Sequence, residues 1–174
     1  MFSKLIWKRR SYRKFADKPV EKEKIDALVE AALLAPSSRS LRPCRFVVVT
    51  EKEIMEQLAG AKPHGAAFLK NAPLGIAVCA DPAVCDVWVE DASIAAIYLH
   101  LAAEDLGLGS CWVQIRKRMY NDTVSAEEKV SEILGLDAGL KVEAIIGIGH
   151  PAQERAPRTR DSLDVAKVSY RRGA

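Results

Sequence analysis

The feature that most restricts how this chain can fold is an alanine-rich segment, Val87 to Leu106, that is apolar around most of a helix's circumference. A helix of that kind has no free solvent face and must be covered on nearly every side by close-packed neighbours. The chain has 174 residues, enough for one hydrophobic core and too few for two ordinary ones. A subunit interface is therefore a natural part of the cover. The most apolar stretch, Ala92 to Ala103, is too short to cross a bilayer, and Glu90, Asp91, Glu104 and Asp105 flank it. These acidic pairs are sequence neighbours whose side chains diverge, so they read as solvated helix ends and not as a catalytic pair of carboxylates.

Around this helix the chain reads as one layered domain, residues 1–174. Short helices are expected at 2–9 and at Glu51 to Leu58. A better-marked one runs from Lys22 to Leu34, with Ile25, Leu28, Val29, Ala32 and Leu33 at helical spacing and Pro36 just beyond its end. Strands are expected at Phe46 to Val49, Leu74 to Ala80, Cys111 to Ile115 and Val142 to Gly149, from their apolar and β-branched runs. Ser125 followed by Glu128 is a capping-box pattern opening a further helix that ends near Leu134, with Gly135 as its C-cap. The last residues, Ser162 to Tyr170, read as extended, a tail without a core role that is expected to pack on a partner subunit.

The charge is unevenly placed. Residues 46–154 hold eight Lys and Arg against sixteen Asp and Glu, although the whole chain has a net charge of +3. The positive charge therefore lies at the two ends, in Lys8-Arg9-Arg10-Ser11-Tyr12-Arg13-Lys14 and in Arg155 to Arg160, a pattern of either solvated surface charge or an anion site assembled from both ends. Nucleic acid is not the expected anion, because Tyr12 and Phe15 are the only aromatics interleaved with these clusters.

Several chemistries are excluded. The four cysteines (Cys44, Cys79, Cys85, Cys111) have no C-x-x-C spacing and read as small buried hydrophobes, and the three histidines are scattered, so no metal site is expected. His100, on the apolar helix, reads as a satisfied core or interface histidine. Gly107-Leu-Gly109 and Gly147-Ile-Gly149 read as structural turns, since neither opens a helix after a strand as a dinucleotide fingerprint must. No P-loop or nucleophile elbow occurs. The N-terminus lacks a secretory signal pattern, because Lys8 to Arg10 interrupt it early, and the expected location is the cytoplasm. A chain with no catalytic side-chain constellation can still be an enzyme if a cofactor carries the chemistry.

Four blocks in order bring a resemblance. Arg9-Arg10-Ser11-Tyr12-Arg13-Lys14-Phe15 resembles the opening of the nitroreductase family, Ala35 to Val49 its second block, Leu106-Gly-Leu-Gly-Ser-Cys-Trp112 its third, and Gly147-Ile-Gly149-His150-Pro151 with Arg158-Thr-Arg160 its end. The resemblance implies an α+β fold with a central mixed, mainly antiparallel sheet flanked by helices. It also implies a homodimer holding FMN at its interface, with NADH or NADPH as co-substrate and a small-molecule acceptor. By that resemblance Arg9, Arg10, Ser11 and Arg13, joined by Arg158 and Arg160, meet the FMN phosphate and ribityl hydroxyls, where guanidinium forks suit phosphate oxygens. Pro36, Ser37, Ser38, Arg39 and Ser40 of the partner subunit line the ring system, with Trp112, Val113 and Gln114 along its other side.

Ser40, Arg42 and Cys44 stand where many relatives carry Asn, Gln and Trp. Arg42 either faces solvent or replaces the lost amide contacts, in which case its charge would raise the flavin's reduction potential. The implied reaction is ping-pong electron transfer to a nitroaromatic, quinone or similar acceptor. Reductive dehalogenation and cobalamin-ligand synthesis are family alternatives, and a polyanion-binding module is the non-enzymatic one.

Overall fold

The continuous apolar run Leu74–Ala80 forms a strand buried at all seven residues, as a strand flanked by partners and covered on both faces must be. The computed structural model describes residues 2–171. In chain order it holds α1 (Phe2–Lys8), α2 (Lys22–Leu33), β1 (Cys44–Val49), α3 (Lys52–Ala59), β2 (Leu74–Ala80), α4 (Trp88–Asp105), β3 (Gly109–Gln114), α5 (Ala126–Leu134) and β4 (Lys141–Gly149), with short 3-10 turns between and after them. The strand order is β1-β2-β4-β3, and all three pairings are antiparallel. The expected parallel component reduces to one isolated bridge, Ser11 to Ser110. Because β3 lies at the edge, the N-terminal arm can run beside it.

The pleat divides the core in two. Leu74, Ile76, Val78, Ile146 and Ile148 pack against α2 and α4, while Ala77, Cys79 and Ile145 pack against α3 and α5. A register shift between Val78 and Cys79 interrupts this alternation opposite the start of β4. As a result Val142 and Ile145 share the α3/α5 face, and Glu143 turns to the α4 face.

The capping box forms as expected: Ser125 Oγ accepts from the Glu128 amide at 3.0 Å, Glu128 Oε2 accepts from the Ser125 amide at 2.7 Å, and Gly135 closes α5 with φ 59°. Several expectations are corrected. β1 begins at Cys44 and β3 at Gly109, so Gly109 is a strand residue and only Gly107, at φ 73°, serves the turn. The reason is packing: a Cβ on Gly109 would lie 2.7 Å from Tyr12 Cγ. The tail is not extended but carries two 3-10 turns, at Arg160–Ser162 and Val165–Lys167. Asp91 and Glu104 are not solvated ends, being only 3% and 6% exposed. Among the described residues, no helix is long and apolar enough to cross a membrane.

Candidate functional site

The arginine arm is fastened to the start of β3. The Tyr12 amide donates to the Ser110 carbonyl at 2.9 Å, the Ala16 amide to the His150 carbonyl and the Ala152 amide to the Lys14 carbonyl. The tail joins it there, since the Arg158 amide donates to the Trp7 carbonyl at 3.0 Å and the Arg10 guanidinium to the Ala156 carbonyl. Two buried groups of α4 hold this end. Glu104 Oε1 pairs with Lys8 Nζ at 3.2 Å, and His100 Nδ1 lies 2.7 Å from Ser110 Oγ with its ring stacked on Trp112. Burial, aided by nearby Arg9, pushes His100 down to about 4. Arg13, Ser11, Arg155 and Arg9 all act on the Cys111 thiol, whose pKa burial nevertheless raises. The predicted Ser11, Arg9 and Arg13 thus lie around Cys111 together with Arg155; Arg10 reaches the tail at Ala156, Arg158 is tied to Trp7 through its backbone, and Arg160 is exposed in the first turn of the tail.

The edge of β3 is open beyond the arm. The Ser110 carbonyl turns outward to Tyr12, and the Ile115 amide turns inward to the Glu143 carbonyl. Strand alternation therefore points the backbone groups of Trp112 and Gln114 outward, where no strand lies beside them. Lys62 closes the far end, its Nζ donating to the Gln114 carbonyl at 2.9 Å. Burial, and then the Arg118 charge, lower the pKa of this ammonium. On the α4 face Trp112 Nε1 donates to Gln114 Oε1 at 2.9 Å, and Gln114 Nε2 donates to Glu143 Oε1 at 3.2 Å. Because an indole N–H can only donate, this chain fixes which way the Gln114 amide faces. Glu143 Oε2 is buried without a hydrogen-bond partner, and Arg116 Nε stands 3.9 Å away. Val113 turns its side chain into the α3/α5 core and its backbone toward β4.

The hydroxyl loop lies elsewhere, between α2 and β1. Arg39, Ser40 and Arg42 adopt φ 52°, 53° and 49°, left-handed values that cost non-glycine residues about 1–3 kcal/mol each. Bonds from its own chain hold the shape. Asp91 Oδ1 accepts from the Ser38 amide at 2.8 Å, Ser37 Oγ accepts from the Arg42 amide at 2.9 Å, and Arg39 pairs with Asp86. A cavity of about 340 Å³, lined by Pro36, Ser37, Arg42, Cys44 and Asp91 among others, sits behind the loop. A larger cleft of about 830 Å³ contains only Arg13 of the predicted site residues and lies between the arm and the starts of α3 and β2.

The four cysteines form no disulfide. Burial pushes Cys44 up to about 11, with Asp91 and Cys85 adding to it, and Cys79 up to about 12. Among the described residues no cluster of three or more His, Cys, Asp or Glu is placed to hold a metal ion.

The family model described as "Nitroreductase family" matches residues 6–81 and 61–150. The chain belongs to the nitroreductase family. An FMN-dependent nitroreductase from Clostridium difficile R20291 superposes with a TM-score of 0.95 and 47% identity, over 97% of this chain and 98% of that one. A protein of Archaeoglobus fulgidus, provisionally named as an NADH dehydrogenase/NAD(P)H nitroreductase, is 35% identical over 159 residues, covering 87% of this chain and 86% of its own. An FMN reductase [NAD(P)H] of Bacillus subtilis is 27% identical over 175 residues, covering 87% and 66%.

For a nitroreductase-family chain the donor set fits a flavin phosphate: Arg9, Arg13 and Arg155 stand near Cys111 of a strand whose open edge offers peptide N–H groups, and Arg10 bridges from the arm to the tail. The predicted loop residues Pro36 to Ser40 and Arg42 are not part of that cluster. They sit by β1, at the opposite edge of the sheet, three strand spacings or about 14 Å from β3. Sequence reasoning missed Asp91, Glu104, Lys62 and Glu143. Three of these are acids in or beside apolar runs, and nothing short of their tertiary neighbours marks them.

Proposed function

We propose that this chain works as a homodimer passing electrons from NAD(P)H through interface-bound FMN to a nitroaromatic, quinone or similar acceptor by a ping-pong mechanism. Helix α4 carries the reading. Asp91, at its start, holds the hydroxyl loop, and Glu104, at its end, holds the arginine arm, about 20 Å apart along the axis. Glu90, Ile94, Ile97, Tyr98, Leu101 and Asp105 recur at helical spacing, and the apolar members Ile94, Ile97 and Tyr98 are exposed in the single chain. That stripe is centred midway between Asp91 and Glu104. Pairing two copies of α4 about a two-fold axis there sets the loop of one subunit against the arm of the other.

Bound FMN supplies the hydride and electron chemistry, for which no side-chain nucleophile is needed. The chain's residues bind and orient. Arg9, Arg10, Arg13 and Arg155, with the Ser11 hydroxyl, hold the phosphate end, and Arg158 and Arg160 reach it from further along the tail. The outward amides of Trp112 and Gln114 meet the ring edge, and Gln114 is kept in one orientation by Trp112 and Glu143. The partner's loop covers the ring and excludes water. The exposed apolar side chains of the tail, Leu163, Val165, Val168 and Tyr170, pack on the partner. Four free thiols accord with a cytoplasmic location.

The purified protein is expected to be yellow, to sediment as a dimer, and to lose its flavin absorbance when NADH or NADPH is added without oxygen. A colourless protein that fails to take up FMN overturns the reading.

A further inference from the structure

We infer that Asp91 is a positioning residue that pre-forms the strained 36–42 loop for the flavin of the partner subunit, an inference that rests on the proposed function. Three left-handed residues within four positions do not persist unless their surroundings over-determine them. The deepest of the bonds holding the loop comes from Asp91. Its side chain is 3% exposed in the first turn of α4, and both of its oxygens are used. Oδ1 accepts from the Ser38 amide at 2.8 Å, and Oδ2 accepts from the Cys85 thiol at 3.3 Å. Cys85 in turn lies against Arg39, so one buried carboxyl group ties the loop to both the helix and the segment before it.

The other two ties are weaker. Ser37 Oγ to the Arg42 amide lies within the loop, and the Arg39–Asp86 pair is exposed on both sides. Without Asp91, Ser38 has no acceptor and the left-handed turn relaxes toward ordinary backbone. The loop would then have to be ordered at the moment of binding, and affinity falls by the population that is no longer competent.

The test uses the full-length protein and compares wild type, Asp91→Ala and Asp91→Asn. Asparagine keeps an oxygen that can accept from Ser38. Alanine is expected to weaken FMN binding about tenfold, measured by quenching of flavin fluorescence, and asparagine to restore it to within about threefold. Wild-type FMN affinity in the alanine variant, or equal weakening in both, overturns the inference. Hydrogen exchange on the flavin-free wild-type protein needs no variant. The Ser38 amide is expected to exchange about a hundredfold more slowly than an open peptide, and an unprotected amide overturns the inference even if the alanine variant does not fold. A wild-type protein that takes up no FMN instead overturns the proposed function, while a protected Ser38 amide would still leave the Asp91 tie standing.

Discussion

The two ends of α4 do the same job by different means. At its start a single acid, Asp91, is fully hydrogen-bonded and restrains a loop whose backbone is strained. At its end two groups, His100 and Glu104, hold Ser110 and Lys8, and with them an arm whose backbone is relaxed and which is tied to Ser110 and His150 by backbone hydrogen bonds. The two segments of the candidate site thus draw their rigidity from different sources. The arm behaves as a fifth strand and depends on the sheet, whereas the loop depends on side chains. Substitutions should therefore affect the loop sharply and the arm gradually.

The largest effect is expected where both ends fail together. Ile97→Glu puts two like charges at the centre of the stripe. It should raise the dimer dissociation constant about a thousandfold with loss of FMN, read by sedimentation. An unchanged dimer would separate the two ends and remove the basis of their comparison.

Acid should loosen the end of α4 through His100. His100 is held neutral with a pKa of about 4 against an ordinary value of 6.5, so the unfolded chain takes up the proton first. Its contribution is complete above pH 6.5 and is lost as the pH falls toward 4, amounting to about 2–3 kcal/mol between pH 7 and 4.5. His100→Gln should abolish that part of the acid slope in urea melts; an identical slope would refute the assignment. Ser37→Ala, which removes the acceptor of the Arg42 amide, is expected to weaken FMN binding about fivefold, by about 1 kcal/mol. Glu104→Gln should weaken it only about twofold, because Lys8 is mostly exposed and the backbone hydrogen bonds of the arm remain. A larger loss for Glu104 than for Ser37 would reverse the ranking of loop and arm.

Much of this was legible in the residues. The α4 segment announced its burial, and Ser125, Glu128 and Gly135 announced the limits of α5, because capping is local chemistry. The arginine cluster was legible as charge at both chain ends. What was hidden depends on contacts distant in sequence. Asp91 and Glu104 look like any acid near a helix end until Ser38 and Lys8 arrive. Gly109 looks like a turn until Tyr12 is laid across it, and Glu143 faces Gln114 only because the ladder slips opposite Val78. The tail read as extended, yet it turns twice into short 3-10 segments, at Arg160–Ser162 and Val165–Lys167.

The cysteines carry one more consequence. A thiol reacts as its thiolate, and with its pKa at about 11 Cys44 is ionised in only about one molecule in ten thousand at neutral pH. Cys79, at about 12, is quieter still. Thiols kept protonated in this way react slowly with oxidants and with one another. The same burial that packs the sheet thus lowers the reactivity of the two sulfurs it covers.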